Sequence, residues 1–124
     1  MSQKKILIVD DEETFTRIVK LNLEDTGKYE VKVENNPRQA IEVAKWFDPD
    51  VTVLDVIMPE MSGLEVADEL RAFWGDSPRP IIFLTAAISK EDASMQHEMM
   101  QNAPLLAKPV DVEELIQALD QVTS

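Results

Sequence analysis

The chain has no cysteine, half as many basic as acidic residues, and no long apolar run. Without cysteine there is no disulfide framework and no thiolate site for zinc. No apolar stretch approaches the roughly 18 residues that would cross a bilayer as a helix. The first apolar run, Ile6-Leu7-Ile8-Val9, is too short for the core of a signal peptide, and no small-residue cleavage site follows it. A cytoplasmic home is the simplest expectation. Twelve Lys and Arg stand against 24 Asp and Glu, for a formal net charge of -12. That balance argues against direct nucleic-acid binding, which needs basic surface to displace counterions, and against binding anionic membranes. Most of the acids read as a solvated surface. Acids at the ends of apolar strands need another explanation.

What is present is enough apolar residue, 44%, for one core, and a length of 124 that suits one domain spanning residues 1–124. Apolar runs with strand character alternate with helical spacing. Ile6 to Val9, Val51 to Leu54 and Ile81 to Leu84 are continuous apolar runs, as expected of strands covered on both faces. Tyr29, Val31 and Val33 alternate with Lys32 and Glu34, which suits an edge. Pro104 to Ala107 is a short last strand whose proline also fits an edge. Between them fall helical faces: Phe15, Ile18, Val19 and Leu23; Ala40, Ile41, Ala44 and Phe47 after Asn36-Pro37; Val66, Ala67, Leu70 and Trp74. A fourth helical pattern runs from Ser89, with Asp92 as a capping box, to about Asn102. A fifth starts at Asp111 with Glu114 and carries Val112, Leu115, Ile116 and Leu119. Strand–helix alternation implies a parallel sheet with helices on both faces. The fold expected is a single doubly wound (βα)5 sandwich of the flavodoxin-like kind, α/β in class. Buried runs in the centre and edge patterns outside fit a strand order of 2-1-3-4-5.

In such a sheet the crevice lies beyond the carboxyl ends of the strands, where the strand order reverses. The first strand ends in Asp10-Asp11, the third in Asp55, the fourth in Thr85 and the fifth in Lys108. Topology therefore brings Asp10, Asp11 and Asp55 together. Two carboxylates about 4 Å apart repel by roughly 4 kcal/mol at an effective dielectric near 20. They must hold a cation, share a proton or stay apart. Oxygen-only ligands suit magnesium. A carboxylate can also attack phosphorus, and phosphoryl transfer asks the protein mainly for positioning and charge neutralisation, which a lysine and a hydroxyl supply. Each piece alone has an ordinary meaning. Asp10-Asp11 could start a helix, Asp55 could belong to a turn before Met58-Pro59, Thr85 could be a strand-end hydroxyl and Lys108-Pro109 a loop. Their joint placement at adjacent strand ends is what favours a site.

These residues resemble the receiver domain of two-component response regulators. The matching pieces are Asp10-Asp11 after Ile8-Val9, Asp55 with Met58-Pro59 and Gly63 downstream, Thr85-Ala86, and Lys108-Pro109. The resemblance implies that Asp55 accepts a phosphoryl group from a phosphohistidine on a sensor histidine kinase or a phosphotransfer protein. It implies magnesium, or manganese, held by Asp11, Asp55 and the backbone carbonyl of Ile57, with Asp10 acting through a bound water. Thr85 and Lys108 would contact phosphoryl oxygens, and the Lys108-Pro109 bond would be cis. It implies a protein switched by phosphorylation rather than a turnover enzyme. Downstream proteins or an output domain would meet the face made by the fourth helix, the fifth strand and the fifth helix, with the chain monomeric or dimerising on phosphorylation. The chain would be either a stand-alone receiver or a domain of a longer regulator.

Some positions depart from the family pattern. Leu105 stands three residues before the lysine, where an aromatic is usual, so the aromatic reporter of phosphorylation cannot work in its usual form. Gln101-Asn102-Ala103-Pro104 replaces a Gly-Ala pair. Ile57 and Ala87 follow Asp55 and Thr85 by two residues, and neither can orient a water, which implies slow loss of the phosphoryl group. Other functions are weighed by single features. A phosphatase of the haloacid-dehalogenase kind needs an acid two residues after its nucleophile, where Ile57 stands. A flavin-binding flavodoxin needs a loop rich in Ser, Thr and Gly where Asp10-Asp11-Glu12-Glu13 stands. A pseudo-receiver that only binds partners would not need the acid pair, threonine and lysine together. His97 reads as a surface histidine. Met95, Met99 and Met100 read as core filling or an adaptable surface, and Trp46 and Trp74 as packing at helix ends.

Overall fold

The computed structural model describes residues 3–86 and 103–123. Its strands are β1 (Lys4–Val9), β2 (Tyr29–Glu34), β3 (Val51–Asp55), β4 (Ile81–Thr85) and β5 (Leu105–Ala107). Its helices are α1 (Glu13–Asp25), α2 (Ala40–Phe47), α3 (Gly63–Trp74) and a C-terminal helix, α4 (Val112–Thr123). The strands form one parallel sheet in the order β2-β1-β3-β4-β5. The helical pattern expected from Ser89 to about Asn102 lies outside the described residues, as do Ala87, His97, Met95, Met99 and Met100.

Burial explains the order. Every residue of β3 and β4 is buried, while β5 is only half covered and β2 alternates only at its start. Side chains alternate across the sheet, so each central strand feeds two cores. Leu7, Val9, Leu54 and Phe83 pack under α2 and α3, against Val43, Phe47, Val66 and Leu70. Ile6, Ile8, Val51, Val53, Ile82 and Leu84 pack under α1 and α4, against Val19, Leu23, Leu115 and Leu119. Each such side chain taken fully out of water stabilises the fold by about 1.5–3 kcal/mol before entropy is counted.

Caps fix where the helices begin. The Asn36 side chain accepts from the Arg38 N–H and starts a short 3-10 turn, Pro37–Gln39, that leads into α2. Ser62 Oγ accepts from the Glu65 N–H at the start of α3. Asp111 caps α4 through the Glu113 N–H rather than through a box with Glu114. Two expectations fail at the surface. Ile18 does not join the α1 core face: it is half exposed, and Thr16 is buried in that face instead. At about 100° per residue, Ile18 points away from the line through Thr16, Val19 and Leu23. Trp46 is not a packing residue. It is 64% exposed, with the Lys32 ammonium 5.3 Å from its ring centre, whereas Trp74 does pack against the core.

Candidate functional site

The register of β1 on β3 builds the site. Ile6 pairs with Val51 and Ile8 with Val53, so one further step sets Asp10 level with Asp55 on the same face of the sheet. Both carboxylates are buried at the end of an apolar core, while Asp11 is exposed. One oxygen from each of Asp10, Asp11 and Asp55 lies within 4.8 Å of the others. The Asp10 carboxylate is anchored by a backbone N–H two residues on: Glu12 N–H donates to Asp10 Oδ1 at 3.0 Å. Asn35 Nδ2 donates to the Asp10 carbonyl at 2.8 Å and to Thr16 Oγ1 at 3.0 Å, which ties the end of β1 to α1.

Lys108 arrives from the far side. Its N–H donates to the Thr85 carbonyl at 2.7 Å, extending the β4–β5 ladder by one step, and the Lys108-Pro109 bond that follows is cis. The ammonium lies 2.7 Å from Asp10 Oδ2, 2.7 Å from Glu12 Oε1 and 3.5 Å from Asp55 Oδ2. The Phe15 ring centre is 4.8 Å from it. On the other flank, the Gly63 N–H donates to the Val56 carbonyl at 3.0 Å. A Cβ on Gly63 would collide with the Asp55 carbonyl oxygen and stand 2.9 Å from its carbon. Only glycine lets the first turn of α3 lie this close to the loop that carries Asp55.

The electrostatics follow from burial and crowding. Loss of water, then the charge of Asp10, pushes the Asp55 carboxyl up from 3.8 to about 6, against the opposing pull of Lys108. Asp10 is also raised, chiefly by burial. Burial alone would lower Lys108, but its contacts with Asp10 and Glu12 and the charge of Asp55 outweigh that and raise it. Among the described residues, one ammonium thus serves Asp10, Asp55 and Glu12. Asp10 Oδ2 meets Lys108 closely but off line, and has no aligned hydrogen-bond donor among the described residues. An all-oxygen donor set with unmet demand for positive charge suits a hard divalent cation such as magnesium.

The structure therefore brings Asp10, Asp11, Asp55 and Lys108 together. Thr85 sits at the buried end of β4, with its hydroxyl donating to the Ala86 carbonyl at 3.1 Å rather than to a carboxylate. Ile57 follows Asp55 with its side chain 61% exposed. The sequence marks Phe15 only as part of an apolar helical face and Glu12 only as part of an acidic run, and ties neither to Lys108. Their contact with Lys108 spans the length of the chain, and no local pattern marks it.

Comparison with known proteins agrees with this geometry. Residues 6–120 match the response regulator receiver domain family. The transcriptional regulatory protein YkoG of Bacillus subtilis is 37% identical over 116 residues, covering 94% of this chain and 49% of YkoG. The alkaline phosphatase synthesis transcriptional regulatory protein PhoP of the same organism is 38% identical over 96 residues, covering 77% of this chain and 39% of PhoP. The chain thus spans half or less of these two regulators. Among solved structures, the chemotaxis protein CheY4 of Vibrio cholerae superposes with a TM-score of 0.86 at 29% identity, covering 98% of this chain and 99% of CheY4. The BeF3-activated receiver domain of Klebsiella pneumoniae RstA gives 0.83 at 25% identity, covering 96% and 97%.

Proposed function

Since the chain belongs to the response regulator receiver domain family, we propose that it is a phosphorylation-switched signalling module in which Asp55 accepts the phosphoryl group of a phosphohistidine. The observation that carries this is a buried carboxylate, Asp55, with two further carboxylates within 4.8 Å and an ammonium 3.5 Å away. In the reaction an Asp55 oxygen forms a bond to phosphorus. The phosphorus–nitrogen bond to the donor imidazole breaks, and the nitrogen keeps the electron pair. Asp11, Asp55 and the Ile57 carbonyl would hold magnesium or manganese, with Asp10 reaching it through water; the cation would neutralise charge on the transferring group. Lys108, 3.5 Å from Asp55, takes up a phosphoryl oxygen, and the Thr85 hydroxyl exchanges the Ala86 carbonyl for another. Asp10, buried beside the ammonium, keeps Lys108 charged.

The donor is a sensor histidine kinase or a phosphotransfer protein, as for receiver domains in general. Exposed, apolar Ile57 replaces the second acid that a phosphatase would need, so the chain is a switch and not a turnover enzyme. Its output is a change in protein contacts on the side of β5 and α4. There Leu105 packs against the core where the family carries an aromatic, so the signal leaves by a route other than an aromatic rotamer.

The test is incubation with acetyl phosphate and magnesium, followed by intact mass. The chain gains one phosphoryl group, Asp55→Asn gains none, and chelation of the cation abolishes the gain. An unlabelled wild-type chain would instead favour a pseudo-receiver that acts by binding alone.

A further inference from the structure

We infer that Glu12 is a positioning residue that acts through Lys108: its carboxylate holds the ammonium while Asp55 is bare, and the phosphoryl group must displace it. This rests on the proposed function, because it concerns how that same site is set. Three observations carry it. First, Glu12 occupies the N-cap of α1, yet its side chain makes no capping hydrogen bond. Its carboxylate is turned instead to Lys108 Nζ, at 2.7 Å. Second, α1 supplies the ammonium with a second partner three residues on, since the Phe15 ring lies 4.8 Å from it. The first turn of α1 is therefore built around the tip of a side chain 96 positions away. Third, the anions around Lys108 differ in freedom. The Asp10 and Asp55 side chains are 0% and 4% exposed, whereas that of Glu12 is 61% exposed. Glu12 is the partner that can swing into solvent without leaving a buried charge behind.

The consequence is a competition. Lys108 stands 2.7 Å from Glu12 but 3.5 Å from Asp55, so contact with a group on Asp55 requires the ammonium to turn. Phosphorylation replaces the single carboxylate charge of Asp55 with about two on the phosphoryl oxygens. It attracts Lys108 and repels Glu12, and each step promotes the other. Glu12 thus raises the threshold for occupancy and quickens return of the lysine when the group departs. An exposed ion pair of this kind shifts an equilibrium by roughly two- to fivefold.

The experiment is calorimetric titration of the intact chain with beryllofluoride, an acyl-phosphate mimic, at saturating magnesium. Glu12→Gln is expected to tighten binding about two- to fivefold. Glu12→Asp keeps the charge but is one methylene too short to hold Lys108, so it is expected to tighten binding similarly. In a Lys108→Met background, Glu12→Gln is expected to change nothing, because the coupling between the two positions is then gone. Unchanged or weaker binding by Glu12→Gln overturns the inference. So does wild-type behaviour of Glu12→Asp, or an effect that persists without Lys108, since either points to charge alone. A wild-type chain that takes up no beryllofluoride is a different failure: it removes the phosphoryl-acceptor reading itself, and this inference with it.

Discussion

The two ends of the sheet treat charge in opposite ways. At the amino end, ionic groups close loops. Arg79 Nη1 meets Asp48 Oδ1 at 2.7 Å and the Pro49 carbonyl at 2.8 Å. Asp50 Oδ2 accepts the Lys5 N–H at 2.8 Å, and the Lys5 ammonium reaches the Phe47 carbonyl at 3.3 Å. Cations there meet carboxylates or carbonyls in roughly matched numbers, near solvent. At the carboxyl end, buried acids crowd one ammonium, and two carboxyl groups are pushed up as a result. The amino end spends its ion pairs on loop geometry. The carboxyl end keeps an unbalanced cluster that only an added cation or a proton relieves. On the proposed function, a site that receives a charged group is left unsatisfied in advance, and the core beneath it supplies the stability to tolerate that.

The sharpest way to break this contrast is at Gly63. Gly63→Ala drives a methyl into the Asp55 backbone, so it is expected to cost about 2–3 kcal/mol in urea unfolding and to slow labelling of Asp55 strongly. Next is the crowding itself. The folded chain holds the Asp55 proton up to about pH 6, whereas the unfolded value is 3.8. The folded state thus binds more protons between those values, and this group's contribution to stability falls as pH rises through that window. In chelator at pH 8, Asp55→Asn should therefore be more stable than wild type by on the order of 2 kcal/mol, and part of the downward slope between pH 4 and 6 should disappear. Thermal melts across pH check both.

Between the two ends lies a control. Thr52, the second residue of β3, buries its hydroxyl with no partner among the described residues. Thr52→Val removes an unpaired polar atom at similar shape and should gain about 1 kcal/mol with labelling unchanged. The smallest effect belongs to the amino end. Arg79→Ala should cost about 0.5–1 kcal/mol, less at high salt, and leave labelling intact. If Arg79→Ala impaired labelling as Gly63→Ala does, the division of labour between the ends would be wrong.

How much of this the sequence carried can be argued residue by residue. Continuous apolar runs marked β3 and β4 as central, and the terminal polar residues marked the crevice. The register of β1 on β3, which no sequence pattern marked, is what set Asp10 and Asp55 on one face, continuing the parity of Ile8 and Val53. On α1, apolar character alone points to Ile18, which the helical angle turns outward, while buried Thr16 and its partner Asn35 are polar and carry no hydrophobic signal. Trp46 was misjudged for a like reason: a large apolar ring at a helix end can lie on the surface when a lysine covers it. The Glu12–Lys108 contact was illegible because it depends on the register of β5 against β4 and on a cap left unmade.

The brevity of β5 has its own consequence. An exposed strand edge invites another chain to add to it, by domain swapping or aggregation. Here that edge is three residues long and is followed at once by the Lys108 turn and α4. It offers too short a template for a foreign strand. Two copies meeting on this side would have to recognise each other through side chains, which a change of charge at the site can alter, rather than through backbone pairing, which it cannot.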